Sequence, residues 1–179
     1  MTVIRPADAT ETAAAWVVAM EKTKCPTALM LTRQNVKNLG LDPNEALENV
    51  RRGAYVLRDA SGGKPEMILI ATGSEVALAV EVREHFEKKG LPTRVVSMPS
   101  FELFELQKKS YRDSVLPPEC ARRVSIEAAS TFGWDRYVKC EGLSIGIDRF
   151  GASAPAEVLA EKFGFTADAV IAEIETRWG

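Results

Sequence analysis

The chain has 179 residues, of which 46% are hydrophobic and 27% are charged, a balance typical of a folded protein rather than a disordered or fibrous one. Its 23 Lys and Arg residues nearly match its 25 Asp and Glu residues, and the two signs alternate along the chain, which argues against a nucleic-acid partner. No run approaches the roughly 20 apolar residues that cross a bilayer, and the start lacks the basic-then-apolar order of a signal peptide. We therefore expect a cytoplasmic protein with no membrane partner.

The cysteines argue against a metal site. Cys25, Cys120 and Cys140 are widely spaced and have neither a CxxC pair nor nearby histidines. We expect them to be buried, reduced thiols.

The first 36 residues predict one helix and one strand. Polar residues precede an apolar run at residues 13–20, so a helix is expected to begin near Asp8. The short apolar run at residues 26–32 favours a buried strand. Residues 37–54 have fewer apolar residues and several turn formers, which is typical of a linker.

Strands and helices alternate in the second unit, residues 55–179. The expected strands are 55–57, 67–71, 94–98, 123–127 and 143–147, and the expected helices are 75–89, 101–111, 132–137, 155–163 and 168–178. This order predicts a three-layer α/β/α fold with a mostly parallel five-stranded sheet, because parallel strands need long crossover connections. The first two strands are separated by a turn, and could pair as the one antiparallel exception.

A possible ligand site lies where the expected strand 67–71 passes into a helix. Gly73 and Ser74 stand at this junction, where glycine and free backbone N–H groups can hold a phosphate. No G-x-G-x-x-G or P-loop motif is present. An alternative needs no ligand: Ser74 caps the helix, and Glu75 interacts favourably with its dipole.

Glu127 and Arg33 also follow expected strands. Glu127 would lie at the carboxyl edge of the sheet, where α/β proteins bind ligands, although it could equally hold a loop by hydrogen bonds. Arg33 ends a short apolar strand, and its planar guanidinium can bind a phosphate through two parallel hydrogen bonds. The lone His85 has no nucleophile at motif spacing, so we expect a surface histidine and no catalytic residue.

Several segments together resemble transketolase. They are Ile-Arg-Pro-Ala-Asp-Ala-Thr-Glu from residue 4, Pro-Thr-Ala-Leu-Met-Leu-Thr-Arg-Gln from residue 26, Ile-Ala-Thr-Gly-Ser-Glu-Val from residue 70 and Asp-Arg-Phe-Gly-Ala-Ser-Ala-Pro-Ala-Glu-Val-Leu from residue 148. The resemblance implies that residues 1–36 are the tail of a pyrimidine-binding domain, 37–54 a linker and 55–179 the transketolase C-terminal domain.

The resemblance also implies a chemistry for the intact enzyme. Transketolases use thiamine diphosphate and Mg²⁺ to transfer a two-carbon ketol unit between sugar phosphates in the pentose phosphate pathway. Arg33 occupies the T/S-R-Q motif whose arginine binds the substrate phosphate. The family's metal and diphosphate segment, its activating glutamate and its substrate-facing histidines have no counterpart here. We therefore expect the chain alone to hold no cofactor and to be inactive.

The resemblance implies as partners the remaining transketolase domains or a second copy in a homodimer, with sugar phosphates as ligands of the intact enzyme. Two alternatives stay open: a non-catalytic dimerisation or regulatory ligand-binding module, and part of a related thiamine diphosphate enzyme such as dihydroxyacetone synthase. Residues 8–32, separated from the rest of their own sheet, should expose apolar surface and be mobile, irregularly docked or buried against another copy.

Overall fold

The computed structural model describes all residues, 1–179, and contains two separate sheets. The strands are β1 (Thr2–Ile4), β2 (Thr27–Leu29), β3 (Tyr55–Arg58), β4 (Met67–Ala71), β5 (Thr93–Ser97), β6 (Arg122–Ile126) and β7 (Leu143–Ile145). The helices are α1 (Ala9–Glu21), α2 (Pro43–Arg52), α3 (Glu75–Lys88), α4 (Phe101–Glu105), α5 (Lys109–Val115), α6 (Asp135–Val138), α7 (Ala156–Phe163) and α8 (Ala167–Trp178). None of these helices is both long and apolar enough to cross a membrane.

The larger sheet confirms the predicted fold class. Its five strands follow the order β3-β5-β4-β6-β7, and every pair is parallel except β3 with β5. The predicted pairing of β3 with β4 is wrong. All five residues of β4 are buried, so this strand occupies the centre of the sheet, where β5 and β6 bond to both its edges and leave β3 the outer edge of β5.

The two faces of β4 pack against different helices. Met67 and Leu69 belong to a cluster that includes residues of α3 and α8. Ile68 and Ile70 point to the other face, where they join side chains of α4, α5 and α6. Successive side chains of a strand alternate between faces, so a single apolar strand supplies both halves of the core.

The segment for which the sequence predicts a linker, residues 37–54, contains helix α2. The Asp42 side chain accepts hydrogen bonds from the backbone N–H groups of Asn44 and Glu45, and Gly53 ends the helix in a left-handed conformation with φ of 82°. Only Ala46 and Val50 of this helix are buried, which explains the low apolar density of its sequence.

The single helix predicted at residues 101–111 is wrong, because the chain forms α4 and α5 there. The break lies at Gln107, whose side-chain amide donates to the carbonyl of Leu103 at 3.0 Å. A continuing helix would give that carbonyl to the Gln107 backbone N–H, which instead bonds to Phe104 at 3.0 Å. The Gln107 side chain therefore takes the Leu103 carbonyl that the backbone would need to continue the helix.

The first 32 residues dock in an ordered way onto the rest of the chain. β1, which the sequence analysis missed, pairs in parallel with β2, and Ala14, Ala15 and Val18 of α1 pack against a cluster that includes residues of α2. The prediction of irregular docking is therefore wrong. The prediction of exposed apolar surface is confirmed for four side chains, which are Trp16, Met20, Met30 and Leu31.

The expectation of three buried thiols holds only for Cys120. Cys25 and Cys140 are exposed. Cys25 lies in the loop between α1 and β2, and Cys140 lies in the loop between α6 and β7. Both loops leave the thiol open to solvent.

Candidate functional site

A cleft of about 510 Å³ lies at the carboxyl end of β4. One wall is formed by residues 30–34, which follow β2, and another by residues 73–75, which connect β4 to α3. Residues of α7, including Phe163, supply an apolar wall. Charged and apolar surfaces therefore meet at the sheet edge where α/β proteins usually bind ligands.

This cleft brings together three of the four residues singled out in the sequence: Arg33, Gly73 and Ser74. Glu127 lines a neighbouring cleft of about 290 Å³ instead. Arg5, which the sequence analysis did not single out, lines both clefts. The two clefts therefore share one cationic side chain.

Arg33 is exposed and lines the larger cleft. None of the ion pairs in the chain includes it. Its neighbours Thr32 and Gln34 bond to each other through their side chains at 2.5 Å. The guanidinium thus has all its donors free for a ligand anion.

The Gly73–Ser74 turn uses its polar groups within the chain. The backbone N–H of Gly73 donates to the carbonyl of Arg5 at 3.1 Å. Ser74 stands at the N-cap position of α3, but its hydroxyl donates to Glu75 at 2.6 Å and makes no capping bond. The interpretation of Ser74 as a side-chain cap is therefore wrong, because its backbone is helical, with φ of −58° and ψ of −24°, whereas a capping residue has an extended backbone that aims its oxygen at the first N–H groups of the helix.

Arg5 makes the most extensive polar contact at this edge. Its guanidinium donates to Glu75 Oε2 at 2.5 Å and to the Thr72 carbonyl at 2.9 Å, and Nη1 lies 3.5 Å from Glu127 Oε1. Only 7% of the Glu75 side chain and 18% of the Glu127 side chain are exposed. The sequence carried no signal for these contacts apart from the presence of Arg5 in one of the motif segments.

Glu127 and Glu75 each accept one further hydrogen bond from an N–H group. The Trp134 indole N–H donates to Glu127 Oε2 at 2.8 Å, and the backbone N–H of Ala128 donates to Glu75 Oε2 at 2.9 Å. Burial raises the pKa of Glu127, while the Trp134 hydrogen bond and the charge of Arg5 act in the opposite direction. The two carboxylates thus gather donors from Arg5, the loop after β6 and the start of α6.

A third shielded carboxylate, that of Glu11, lies away from the clefts. Glu11, in the first turn of α1, is fully buried and accepts hydrogen bonds from the Tyr55 hydroxyl at 2.5 Å, the Ser97 hydroxyl at 2.7 Å and the Ala7 backbone N–H at 2.7 Å. Burial raises its pKa. Asp8 accepts from the backbone N–H of Glu11 on the same helix. This cluster ties α1 to β3 and β5.

The remaining chemistry-bearing residues do not form a site. His85 lies at the surface, with Nε2 3.4 Å from Glu175 Oε1, which confirms its placement on a surface helix. No group of three or more His, Cys, Asp and Glu side chains could hold a metal ion. The chain thus offers a cleft with a free arginine, but no donor set for a metal.

Comparison with known proteins gives a consistent result over the whole chain. The family model described as transketolase-like TK C-terminal domain matches residues 53–166. A transketolase from Geobacillus stearothermophilus is 53% identical over 171 residues, which are 96% of this chain and 26% of that protein. A transketolase from Aquifex aeolicus is 47% identical over 176 residues, 98% of this chain and 25% of that protein.

The solved structures agree with the sequence relatives. A transketolase from Leishmania mexicana superposes with a TM-score of 0.87 at 42% identity, covering 98% of this chain and 25% of that chain. This chain therefore spans about a quarter of the length of the proteins it matches.

Proposed function

This chain belongs to the transketolase C-terminal domain family, and from that premise we propose that it works as the carboxy-terminal part of a transketolase. The observation that carries the proposal is the match over 96% of the chain, which includes the residues ahead of those that the family model covers. In the whole enzyme, in the cytoplasm, a two-carbon ketol unit would pass between sugar phosphates. The remaining domains, or a second copy of the protein, would complete that enzyme.

The proposed division follows the resemblance. Residues 1–36 are the tail of the pyrimidine-binding domain, residues 37–54 are the linker, and residues 55–179 are the C-terminal domain. The proposed contribution of this chain to the chemistry comes from the first of these parts, because Arg33 belongs to it.

We propose that Arg33 binds the terminal phosphate of the sugar. Three observations support this role: the guanidinium is exposed, it has no ion-pair partner, and it lines the wall of a cleft at the carboxyl end of β4. A guanidinium can bind a phosphate through two parallel hydrogen bonds. Arg33 would thus orient the substrate by its phosphate end and leave the reacting end for groups outside this chain.

Thiamine diphosphate and Mg²⁺ belong to the proposed whole enzyme, but the residues of this chain do not fit them. No cluster of His, Cys, Asp and Glu side chains could hold the metal. The two carboxylates nearest the clefts are already bonded, Glu75 to Arg5 and Glu127 to Trp134. We therefore derive no step through the cofactor and propose that the other domains hold it.

A complementation assay tests the proposal. The chain is mixed with a polypeptide covering the other three-quarters of the Geobacillus transketolase, and ketol transfer from xylulose 5-phosphate to ribose 5-phosphate is measured with thiamine diphosphate and Mg²⁺. We expect background rates from the chain alone and turnover from the mixture. Turnover by the chain alone would contradict the proposal, and so would an inactive mixture of folded, associated partners.

The same mixture tests Arg33. Arg33→Ala should lower kcat/KM for the phosphorylated acceptor by roughly 100-fold, about 3 kcal/mol for two charge-assisted hydrogen bonds, and should spare an unphosphorylated acceptor such as ribose. Arg122→Ala is the matched control, because Arg122 is exposed at the opposite, amino end of β6. Equal losses with both acceptors would show that Arg33 does not bind the phosphate.

One observation favours a second function, a non-catalytic association module. Trp16 and Met20 on α1 are 55% and 69% exposed, on the part of the helix that does not pack against α2. Sedimentation of the chain with and without the companion polypeptide separates the two functions. Self-association that Trp16→Glu abolishes, without complementation of activity, would favour the module.

A further inference from the structure

The carboxyl edge of the larger sheet binds both the main chain and the side chain of Arg5. The Arg5 backbone N–H donates to the carbonyl of Pro99 at 2.8 Å, just beyond β5. Its carbonyl accepts from Gly73 N–H at 3.1 Å and from the Thr72 hydroxyl at 3.2 Å, just beyond β4. Its guanidinium contacts Glu127, just beyond β6. One residue is thus bonded to the ends of three adjacent strands.

The shape of this site suits a flat group. A Cβ atom added to Gly73 would lie 2.7 Å from Arg5 Cζ and 2.8 Å from Arg5 Nε, so the guanidinium lies directly against the backbone of Gly73. Its two terminal nitrogens bond to different acceptors, Glu75 Oε2 and the Thr72 carbonyl. A lysine ammonium offers a single nitrogen at the end of its chain and cannot reproduce this planar fork.

The negative charges of Glu75 and Glu127 require a neighbouring cation. Glu75 and Glu127 are largely shielded from solvent, and Arg5 is the only basic side chain that pairs with them. Without it, two shielded carboxylates would face each other with only neutral donors, which is costly. The sheet edge that often binds small ligands is here occupied by an arginine of the same chain.

The bound arginine also lies next to the segment that carries Arg33. The carbonyl of Ile4 accepts a hydrogen bond from the backbone N–H of Met30 at 2.9 Å, and Ile4 pairs with Leu29 in the β1–β2 ladder. Arg5 follows Ile4 directly, and residues 30–34 leave β2 at the same point to line the cleft. A residue held at the sheet edge therefore fixes where the Arg33 segment begins.

We propose that Glu75 and Glu127 form a guanidinium-binding site whose occupant is Arg5, and that this site positions the Arg33 segment against the sheet edge. Arg5 is thus a positioning residue, and its relevance to sugar phosphates rests on the proposed function of Arg33. The site itself, a pair of carboxylates that selects a guanidinium over an ammonium, does not depend on that function.

The test uses the full chain with two readouts. The ¹H–¹⁵N indole resonance of Trp134 reports on Glu127, to which it donates. Hydrogen exchange of residues 27–30, which lie in the β1–β2 ladder and at the Met30 bond to Ile4, reports on where the Arg33 segment begins. Arg5→Ala should shift the indole resonance and speed exchange at residues 27–30 by at least about tenfold, since the β1 partner of those amides loses its anchor at the sheet edge. Arg5→Lys should restore neither, because the fork is lost.

Chemical rescue separates a specific site from general destabilisation. Methylguanidinium added to Arg5→Ala should return the Trp134 resonance to its original position, and methylammonium at the same concentration should not. Exchange at residues 27–30 should stay fast in both cases, because a free ion is not tied to β1. Full recovery with Arg5→Lys, or an equal response to the two ions, would overturn the proposal.

Arg51→Ala is the matched control. Arg51, like Arg5, pairs with two carboxylates, Glu21 and Glu48, each at 2.5 Å, but it joins α1 to α2 on an exposed surface. Its removal should leave both readouts within error of the original chain. If it changes them as much as Arg5→Ala does, the guanidinium site is not specific.

Two further variants keep the test decisive. If Arg5→Ala does not fold, Glu127→Gln removes one charge without changing shape, and it should still shift the Trp134 resonance and speed exchange at residues 27–30. Original exchange rates in that variant would overturn the proposal. A failure of Arg33 as a phosphate ligand would appear only in the acceptor assay with Arg33→Ala, and would leave the indole and exchange results unchanged.

Discussion

Replacing Glu11 by Gln should remove a pH dependence that this buried carboxylate imposes on the stability of the chain. Burial raises the pKa of Glu11 above its ordinary value of 4.5, and the charge of Asp8 raises it further. Hydrogen bonds from Tyr55, Ser97 and the backbone of Ala7 lower it only in part. No cation faces the carboxylate from α1, β3 or β5, so nothing offsets the loss of solvent around its charge.

The sign of the effect follows from proton linkage. The folded chain binds the Glu11 proton more tightly than the unfolded chain does, so the stabilisation is complete below about pH 4.5 and is lost as the pH rises through the folded pKa. One proton corresponds to a slope of about 1.4 kcal/mol per pH unit within that window. Carboxylates with lowered pKa act in the opposite direction and at lower pH; they are Glu21, Glu87, Asp148 and Glu175.

Urea unfolding followed by circular dichroism, from pH 4.5 to pH 8, measures this effect. The free energy of unfolding of the original chain should fall relative to Glu11→Gln as the pH rises, since every other group titrates in both chains. Glu84→Gln, which removes an exposed carboxylate of α3, should follow the original chain throughout. Parallel curves for the original chain and Glu11→Gln would show that Glu11 does not impose this pH dependence.

Removing the side chain altogether is a stronger perturbation of the same cluster. Glu11→Ala leaves three buried donors without an acceptor, those of Tyr55, Ser97 and Ala7. Each such donor costs about 1–3 kcal/mol, so the variant should lose at least about 3 kcal/mol of stability, against a smaller loss for Glu11→Gln. Equal losses for the two variants would mean that the donors find other acceptors.

Two further variants test single contacts by thermal or urea unfolding. Gly53→Ala should cost about 3 kcal/mol or more of stability, because its Cβ would lie 2.3 Å from the backbone nitrogen of Phe104. Gly62→Ala is the control, since Gly62 has a similar φ with open space around it, and it should cost only about 1–2 kcal/mol. Equal losses at the two positions would exclude the backbone clash. Arg123→Ala should cost roughly 3–5 kcal/mol, since its buried guanidinium donates to four backbone carbonyls. Arg122→Ala, on the exposed neighbour, should stay within about 0.5 kcal/mol, and similar losses at both positions would contradict this account of Arg123.

Local sequence patterns were enough to predict the fold class and much of the cleft. The apolar run of β4 and the alternation of strands with helices specify a parallel sheet, and a parallel sheet places the residues that follow its strands along one edge. Arg33, Gly73 and Ser74 line one cleft, although β2 belongs to a separate sheet. Helix α2 was missed because it has no broad apolar stripe. Its only sequence signals are the residues at its ends, Asp42 and Pro43 at the start and Gly53 at the finish.

The contacts that local patterns could not predict join residues far apart in sequence. Arg5 and Glu75 are 70 positions apart, and Glu11 and Ser97 are 86 apart. A charged residue near the start of a chain has many possible partners, and only the packed structure selects one. The pairing of β3 with β5, where the sequence predicted a pairing with β4, was missed for the same reason. It depends on which strands compete for the centre of the sheet.

These long-range contacts explain how a short apolar interface can hold residues 1–32 in one position. The side chains of α1 that pack against α2 are small, mainly Ala14, Ala15 and Val18, and small apolar surfaces tolerate sliding because their attraction has no direction. Arg5 at the carboxyl edge and Glu11 beside β3 and β5 add directional bonds at two separate points. Two fixed points on a rigid segment remove translation and leave only rotation about the line that joins them, and each contact becomes costly to break if its partner moves away. The polar contacts, more than the apolar ones, therefore determine where β2 ends and where Arg33 enters the cleft.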